Sequence, residues 1–369
     1  MEAPEKAPTV INLYEFIRVI GSGAYGCVIL VRHVNERNHQ LMKIKEYREG
    51  DNEFGIQRRL VLLAPLFVSF MIKNLRIYSP LSEDYFRFMQ DTDCAHLIPR
   101  WRRQSNFVFQ LSEYVSGGHV RGSEMHGTQE VHQYVLCIGY LLREGRNKYQ
   151  LVHSDIKPDN MLHRLEINKS ISFGEFEFRP RRGRVPVLID FGVCYTADDP
   201  PANETRGTYA FFPPEMLIDP SRGHLRMDMW ALALSLVDPN LVYNQRTESW
   251  AFGVLHMGEY VRHVRGPGGA NVSGLELDML MRAYLIQYGM GNGIEFPVRE
   301  PSPDQRQSIV AAITRSGVEP NSIQRQLVER GVSPIVIEMF RRMMAWVPIY
   351  TWDTLLASKF FRPFLKRNP

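Results

Sequence analysis

Residues 153–160, with the sequence HSDIKPDN, place a carboxylate, an ammonium group and a carboxamide within one short stretch. Phosphoryl transfer from a nucleotide needs a carboxylate that orients the attacking hydroxyl, cations that face the phosphates, and oxygen ligands for a metal ion. Asp155 can supply the first of these, Lys157 the second, and Asn160 a neutral oxygen of the kind that Mg²⁺ accepts. The stretch therefore predicts a catalytic loop, although an Asp that only caps a turn would give the same pattern in isolation.

A second acid stands at the end of an apolar run, in residues 187–194, VLIDFGVC. Residues 185–189, interrupted only by Pro186, predict a strand inside the protein that delivers Asp190 at its end. A buried carboxylate is costly unless a cation pairs with it. We therefore expect Asp190 to be a buried metal ligand.

Residues 21–28, GSGAYGCV, follow the pattern G-x-G-x-x-G-x-V. Glycine lets the backbone turn tightly and bring its N–H groups close to phosphate oxygens. A dinucleotide-binding fold needs a helix after such glycines, whereas the next residues are β-branched and predict a strand. We therefore expect a β-hairpin over a nucleotide, with Lys43 on the following strand near its phosphates. Taken alone, the same residues also fit a plain hairpin turn and a solvated lysine.

The composition is that of an ordinary soluble globular chain, with 44% hydrophobic and 23% charged residues among 369. Lys and Arg exceed Asp and Glu by only 44 to 40, which argues against a nucleic-acid or membrane partner. The longest apolar run, at 60–72, is too short to span a bilayer. Four widely spaced cysteines favour a reducing compartment over disulfides or a zinc site, and the N-terminus lacks an apolar leader. We expect an intracellular location, cytoplasmic, nuclear or both.

The pattern of predicted elements changes near Gly117 and Gly118. Before them, apolar alternation predicts several strands around one amphipathic helix. The predicted strands are 15–23, 26–34, 40–47 and 105–115, and the predicted helix is 52–64. After them, residues 129–145 predict a helix that stops at Gly145, and helical patterns dominate from Asp228 onward. We therefore predict a small β-rich lobe and a larger α-rich lobe, with a ligand site in the cleft between them.

The order of the motifs along the chain resembles that of a eukaryotic-type protein kinase of the Ser/Thr-specific branch over residues 13–364. The resemblance rests on the glycine pattern, the strand lysine, HSDIKPDN, DFG at 190–192, PPE at 213–215 and DMW at 228–230. It implies an α+β, bilobal kinase fold in one domain at 13–365. The implied divisions are an N-terminal tail at 1–12, an N-lobe at 13–112, a hinge at 113–118, a C-lobe at 119–365 and an activation segment at 190–215.

The resemblance also implies a role for each matching residue. Asp155 would be the catalytic base, Lys157 the γ-phosphate contact, and Asn160 and Asp190 the Mg²⁺ ligands. Lys43 would hold the α- and β-phosphates and pair with a helix glutamate, for which Glu53 is preferred over Glu49 and Glu46. Thr208 would lie beside the base. The remaining nucleotide contacts would be Ile20, Gly21, Ser22, Gly23, Ala24, Tyr25, Gly26, Val28, Leu41, Glu113, Val115 and Leu162, with Ile20, Val28, Leu41 and Leu162 around the adenine.

The implied function is transfer of the γ-phosphate of ATP to Ser or Thr hydroxyls of protein substrates, with Mg²⁺ or alternatively Mn²⁺ as cofactor. Two other classes compete. A pseudokinase scaffold would normally have lost the lysine, the base or the metal aspartate, all of which are present here. A small-molecule phosphotransferase would lack the lysine after the base and the DFG and PPE motifs.

Several positions depart from the family pattern. Ser154 stands where many members of the family have an arginine that binds a phosphate on the activation segment. Serine cannot form such a bidentate phosphate pair. We therefore expect activity without phosphorylation of that segment. Gln57 replaces an apolar helix residue, and Thr351 stands where the partner of Glu215 is expected, which leaves Arg341 or Arg342 as substitutes. Such divergence fits a fast-evolving lineage, with a viral one as one interpretation.

An insertion at about 165–184 separates the two metal-ligand motifs by more residues than the family needs. It alternates phenylalanine with glutamate and then carries four arginines, Arg179, Arg181, Arg182 and Arg184. An extended hairpin with a basic tip is the favoured interpretation. A docking or nuclear-targeting patch is the alternative.

Overall fold

The chain divides into two units, residues 1–116 and 117–369. The computed structural model describes residues 9–11, 13–23, 26–47, 53–120, 128–196, 206–219, 226–237, 248–266, 272–296, 298–345 and 350–366. Strands dominate the first unit and helices the second, so the predicted α+β class is confirmed. None of the helices in the described ranges is both long enough and apolar enough to span a membrane.

The first unit is built on one antiparallel sheet in the order β1-β2-β3-β4-β6-β5. Its strands are β1 (Thr9–Ile11), β2 (Tyr14–Ser22), β3 (Gly26–His33), β4 (His39–Glu46), β5 (Met71–Ile77) and β6 (Phe107–Glu113). Four of them match the predicted strands, because β-branched and apolar residues alternate along each. The predicted helix is α1 (Glu53–Leu63).

One face of this sheet is covered by a helical segment that the sequence patterns did not predict. It contains α2 (Glu83–Met89) and α3 (Ile98–Trp101), which follow β5. Phe86, Met89 and Trp101 of these helices are buried in the same cluster as Ile29 and Ile44 of the sheet. The expectation of a single helix in this lobe was therefore wrong, since helices of seven and four residues are too short to show a clear period.

A disulfide joins Cys27 of β3 to Cys94 beyond α2, across a sequence separation of 67 residues. Both cysteines are buried in the cluster between sheet and helices. The expectation that this chain forms no disulfide was therefore wrong. Tertiary packing brings the two residues together, and no spacing signature in the sequence marks such a pair.

The second unit contains nine helices within the described residues. They are α4 (Thr128–Tyr149), α5 (Pro214–Ile218), α6 (Met227–Val237), α7 (Glu248–Arg265), α8 (Gly274–Gly289), α9 (Pro303–Thr314), α10 (Ser322–Glu329), α11 (Pro334–Met343) and α12 (Trp352–Leu356). Helix α4 continues one turn past Gly145, where the sequence predicted its end. Apolar residues around α4 and α6 are buried on nearly all sides, so these two helices form the centre of the unit.

In the described part of this unit, three short two-stranded sheets accompany the helices. Strand β7 (Leu151–Val152) pairs with β12 (Tyr195–Thr196), and β8 (Met161–Arg164) pairs with β11 (Val185–Leu188). The third sheet pairs β9 (Ile171–Phe173) with β10 (Phe176–Phe178) inside the insertion. The predicted hairpin is therefore present, but the expectation of a basic tip was wrong, because its turn holds Gly174 and Glu175 and the four arginines follow β10.

Stability of the second unit should fall on acidification because His132 of α4 is buried beside the rings of Phe361 and Phe364. Burial lowers the pKa of His132 from 6.5 to about 4. The unfolded chain therefore binds a proton between these values that the folded chain does not, and stability is lost as the pH falls through this range. The linkage amounts to about 2 kcal/mol between pH 7 and pH 5.

Urea unfolding at pH 7 and pH 5 measures this loss. We expect His132→Leu to show a smaller loss than the wild type by about 2 kcal/mol. His153 is also buried with a lowered pKa, but it contributes equally to both proteins and cancels in the comparison. The exposed His96→Leu serves as the matched control. An equal loss in wild type and His132→Leu would contradict the prediction.

Candidate active site

The glycine pattern lies at the turn between β2 and β3, as predicted for a hairpin. Gly21 is paired with Val28, and the N–H of Gly23 donates to the carbonyl of Gly26 at 2.9 Å. Ala24 and Tyr25 lie outside the described residues. A side chain at Gly26 would place its Cβ 3.0 Å from the carbonyl oxygen of Ile44, so only glycine fits closely against the neighbouring strand.

Lys43 of β4 and Glu53 of α1 form an ion pair of 2.9 Å. Of the three candidate glutamates, Glu53 is thus the one that the structure places against Lys43. Glu46 instead pairs with Arg100 at 2.5 Å, and Glu49 lies outside the described residues. Glu53 is 4% exposed, so its charge depends on the cations around it.

A second lysine, which the sequence reasoning missed, shares the same carboxylate. Lys45 is two residues beyond Lys43 on β4, so both side chains lie on one face of the strand. Its Nζ lies 2.5 Å from Oε2 of Glu53, while Lys43 contacts Oε1. Lys45 is 8% exposed and is paired with Gly26 in the sheet. Glu53 is therefore held by a lysine on each oxygen.

Gln57 of α1 is one of the positions that depart from the family pattern, and it is polar like the neighbouring Glu53. Its amide donates to the backbone carbonyl of Ser69 at 2.6 Å, and both residues are buried. A buried polar group is tolerated when it is hydrogen-bonded. Gln57 therefore ties α1 to the segment before β5 by a directional contact instead of by apolar packing.

The shared carboxylate predicts a non-additive response to removal of the two lysines. Either Lys43→Met or Lys45→Met leaves one lysine on Glu53, and each should cost about 0.5–1.5 kcal/mol in unfolding free energy. The double variant removes both and should cost about 3–5 kcal/mol. A double-mutant cycle by urea unfolding measures the coupling.

The exposed Lys73→Met on β5 is the matched control for loss of a lysine, and we expect it to change stability by less than about 0.5 kcal/mol. Strictly additive losses from the two β4 lysines would show that Glu53 does not couple them.

The carboxylate of Asp155 is oriented by three donors in the second unit. Thr208 Oγ1 donates to its Oδ1 at 2.7 Å, and both Lys157 Nζ and Asn160 Nδ2 contact its Oδ2 at 2.8 Å. Lys157 also donates to the hydroxyl of Thr208 at 2.8 Å. The structure thus brings together four of the residues predicted from the sequence, with Asp155 at the centre.

The loop that carries Asp155 is anchored from beneath by Asp228 of α6. The carboxylate of Asp228 accepts the backbone N–H groups of His153 and Ser154 at 2.8 and 2.9 Å. Burial raises the pKa of the Asp228 carboxyl, and these two donors and His153 oppose the rise. Burial likewise lowers the pKa of His153, whose ring packs against Phe191 at a centroid distance of 5.0 Å. A neutral imidazole and a fixed carboxylate therefore hold the loop.

Asn160 and Asp190 lie at adjacent ends of β8 and β11, and the N–H of Ile189 donates to the carbonyl of Asn160 at 3.0 Å. The Nδ2 group of Asn160 is directed at Asp155, which leaves its Oδ1 as the donor atom for a cation. Asp190 is exposed, so the expectation of a buried carboxylate was wrong. The strand ends at Leu188 and the backbone turns at Asp190, with φ 58°, toward solvent.

These two oxygen donors fit Mg²⁺, a hard cation that usually takes one or two protein ligands and completes its shell with water and phosphate. No cluster of three or more His, Cys, Asp or Glu side chains that could bind a metal occurs within the described ranges.

Ser154 makes a local contact where the family pattern would have an arginine. Its hydroxyl donates to the carbonyl of Val193, just after the DFG residues, at 3.0 Å. Its φ of 66° is left-handed, and its carbonyl oxygen would lie 2.1 Å from a Cβ at Gly207. Glycine at 207 therefore lets the second half of the activation segment approach the catalytic loop directly.

Glu215, at the end of the activation segment, pairs with Arg226, which the sequence reasoning missed. The ion pair is 3.0 Å long and both side chains are buried. Burial raises the pKa of Glu215, and the charge of Arg226 opposes the rise. Arg341 and Arg342, the two candidates from the sequence, both pair with Glu338 instead.

The predicted adenine contacts are distributed over both units. Ile20 of β2 is exposed, and Val28 of β3 and Leu41 of β4 are half-buried. Leu162 lies on β8 of the second unit and is buried. At the end of β6, the Glu113 side chain accepts the N–H of Phe70 at 2.8 Å, which fixes the backbone before Val115.

Comparison with known proteins identifies the family of this chain. The model of the protein kinase domain matches residues 14–249, which is more than half of the chain. The chain therefore belongs to the protein kinase family.

Its relatives are distant. A probable serine/threonine-protein kinase of Dictyostelium discoideum is 24% identical over 235 residues, which are 62% of this chain and 29% of that protein. The putative mitogen-activated protein kinase 14C of Drosophila melanogaster is 22% identical over 385 residues, with 95% of this chain and 93% of that protein covered. The structure of the kinase PK-1 of Cydia pomonella granulovirus aligns with a TM-score of 0.52 at 14% identity over 94% of each chain. This likeness confirms the bilobal kinase fold, and the low identities make the chain a divergent member. The chain spans less than a third of the Dictyostelium relative.

Proposed function

We propose that this protein kinase transfers the γ-phosphate of ATP, bound with Mg²⁺, to Ser and Thr hydroxyls of protein substrates. The observation that carries the proposal is the Thr208 hydroxyl, which bridges Lys157 and Asp155 at 2.8 and 2.7 Å. In the Ser/Thr-specific branch that this chain resembles, a threonine stands at this position beside the base. The names of the curated relatives, which are serine/threonine kinases, agree with it.

In this mechanism, each residue has a task set by its contacts. Asp155 accepts the proton of the attacking hydroxyl, and its three donors fix the direction of the lone pair that receives it. Lys157 lies beside the base and stabilises charge on the moving phosphoryl group. Lys43, oriented by Glu53, binds the phosphates. Asn160 and Asp190 would hold Mg²⁺, which neutralises phosphate charge when bound.

The competing function is a scaffold that binds nucleotide without transfer. The oriented carboxylate of Asp155 argues against it, since a binding module needs no base held by three donors. Transfer of radiolabelled phosphate from ATP to an array of Ser, Thr and Tyr peptides tests the proposal. We expect magnesium-dependent labelling of Ser and Thr peptides. Labelling restricted to Tyr peptides, or none with any peptide, would reject it.

We further propose that the described parts of the activation segment, 190–196 and 206–215, keep their contacts with the catalytic loop without phosphorylation. The Ser154 hydroxyl donates to the carbonyl of Val193, and the Thr208 hydroxyl donates to the carboxylate of Asp155, so both described parts of the segment are joined to the catalytic loop. Neither contact needs a phosphate. Protein treated with a phosphatase to remove all phosphate should therefore keep at least about half of its activity. A loss of tenfold or more, with the phosphate-free state verified by intact mass, would contradict this.

A further inference from the structure

The strongest local charge in the second unit lies in the insertion, at residues 179–184, RPRRGR, called here the arginine turn. It carries four arginines and no acid, which equals the formal net charge of +4 of the whole chain. Arg179, Arg181 and Arg182 are exposed and Arg184 is half-buried. None of them forms an ion pair with a carboxylate in the described part of the chain. The side chain of Arg181 donates to the neutral amide oxygen of Gln129 at 3.4 Å.

The backbone of the arginine turn is fixed, unlike that of a flexible basic tail. The buried side chain of Gln133 on α4 donates to the carbonyl of Arg179 at 3.1 Å and accepts the N–H of Arg181 at 2.9 Å. Gly183 is buried with φ 62°, and its carbonyl accepts the N–H of Ile167 at 2.9 Å. The guanidinium groups are therefore presented from a structured base.

The hairpin that precedes the arginine turn is fastened at two further points. Arg143 of α4 binds the carboxylate of Glu175 through two nitrogens, at 2.6 and 3.1 Å. The ring of Phe178 packs against Phe364 at a centroid distance of 5.6 Å. The acids nearest in sequence to the arginine turn are Glu177 and then Glu175. Of these, Glu175 is already neutralised by Arg143. The arginine turn is left with positive charge that a partner can match.

We propose that the arginine turn is a docking surface for an acidic segment of the protein substrates, an inference that rests on the proposed function. Arginine pairs with carboxylates through two parallel hydrogen bonds, so several arginines on a rigid turn favour a run of Asp and Glu. Residues 184–190 connect the turn to Asp190 mainly through β11, so the two are at most about 20 Å apart. An extended segment of about six residues spans that distance. Asp190 lies close to the base, because the N–H of the preceding Ile189 donates to Asn160, which contacts Asp155.

A nucleic acid fits this surface less well. Binding of single strands uses aromatic platforms beside the cations, whereas Phe176 and Phe178 of the hairpin are buried and pack inward. A duplex needs a longer track of positive charge than one turn provides.

The test uses the full chain and two peptides with the same acceptor core and a six-residue spacer. The acidic peptide carries a block of Asp and Glu, and it is made in two versions with the block before or after the core. The neutral peptide carries Asn and Gln in place of the block. Arg179→Ala/Arg181→Ala/Arg182→Ala removes the arginine turn's exposed charges. Arg262→Ala/Arg299→Ala/Arg315→Ala, three exposed arginines elsewhere in the unit, makes the same change in charge as a matched control.

We expect the wild type and the control to have a KM about tenfold lower for one of the acidic peptides than for its neutral counterpart. The arginine-turn variant should lose this difference, with kcat and the KM for the neutral peptide unchanged. Raising the ionic strength should reduce the difference in the wild type. Equal KM values for acidic and neutral peptides in the wild type, or equal effects of the two triple variants, would overturn the proposal.

Fluorescence anisotropy of the labelled acidic peptide measures docking without any phosphate transfer. If the chain transferred no phosphate, the proposed function would fail while anisotropy still tested the surface. Competition with a DNA duplex identifies the partner class. Displacement of the peptide from the wild type by duplex at equal charge concentration would overturn the assignment to acidic protein segments.

Discussion

Replacing Asp155 by Asn should lower the rate of phosphate transfer by about a thousandfold while ATP binding is retained. Asn has nearly the same shape but cannot accept a proton, and general base catalysis by a positioned side chain typically contributes 10²- to about 10⁴-fold. In the proposed mechanism ATP is bound by Lys43 and the glycine turn, which this change does not touch. The expected outcome is therefore a fall in kcat with little change in the dissociation constant of ATP.

The geometry of the site sets the control for this prediction. Oδ2 of Asp155 faces two donors, Lys157 and Asn160, so an amide in its place must turn its own oxygen toward them. A thermal unfolding curve separates a rearranged loop from a lost base. Asp159→Asn removes an exposed acid four residues further on, and it should change kcat by less than about twofold. If Asp155→Asn kept more than about a tenth of wild-type activity, Asp155 would not be the base.

Residues whose role depends on local order could be predicted from the sequence. The strands β2, β3, β4 and β6 and the helix α1 follow from period and composition, and the hairpin nature of the glycine pattern follows from the β-branched residues after it. Asp155, Lys157 and Asn160 lie within one short stretch, so their meeting around one carboxylate needs only the loop itself. Thr208 joins them from a distance of 53 residues, and only the family resemblance indicated it.

Features that depend on tertiary contact could not be predicted. Lys45 reads as an ordinary strand lysine until α1 is placed against β4, and the disulfide between Cys27 and Cys94 depends on how the helical segment covers the sheet. The exposure of Asp190 shows a related limit. An apolar run marks a buried strand, but it does not tell in which direction the chain turns after its last residue.

Glu215 gives the clearest example, because the sequence supplied two wrong candidates for its partner. Ion-pair partners are selected by proximity in space, and Arg226 stands at the start of α6, which is also the helix that anchors the catalytic loop through Asp228. One helix N-terminus therefore holds both the catalytic loop and the end of the activation segment.

Replacing Arg226 by Ala should destabilise the protein by about 3–5 kcal/mol, the range for removal of one member of a buried ion pair. The change leaves the carboxylate of Glu215 buried without Arg226, and burial already raises its pKa. Urea unfolding measures the loss. Arg341→Ala is the matched control, because Arg341 is 41% exposed at the side chain and pairs with Glu338, so its removal should cost less than about 1 kcal/mol.

Activity should respond as well, even at temperatures where the variant stays folded. Glu215 is the second residue of α5, whose end is held by Arg265 through the carbonyls of Leu217 and Ile218 at 2.8 and 3.1 Å. Loss of Arg226 frees the other end, which leads back to Thr208 and its contact with Asp155. We expect kcat to fall about tenfold with the KM for ATP unchanged.

The pair Arg226→Met/Glu215→Leu separates the two effects. Replacing a buried ion pair by apolar residues of similar volume is often neutral for stability, so this double variant should recover most of the lost unfolding free energy. If the ion pair also positions the activation segment, kcat should stay low despite the recovered stability. Full recovery of both would mean that Arg226 serves the fold alone, and a stable, fully active Arg226→Ala would remove the ion pair from the account altogether.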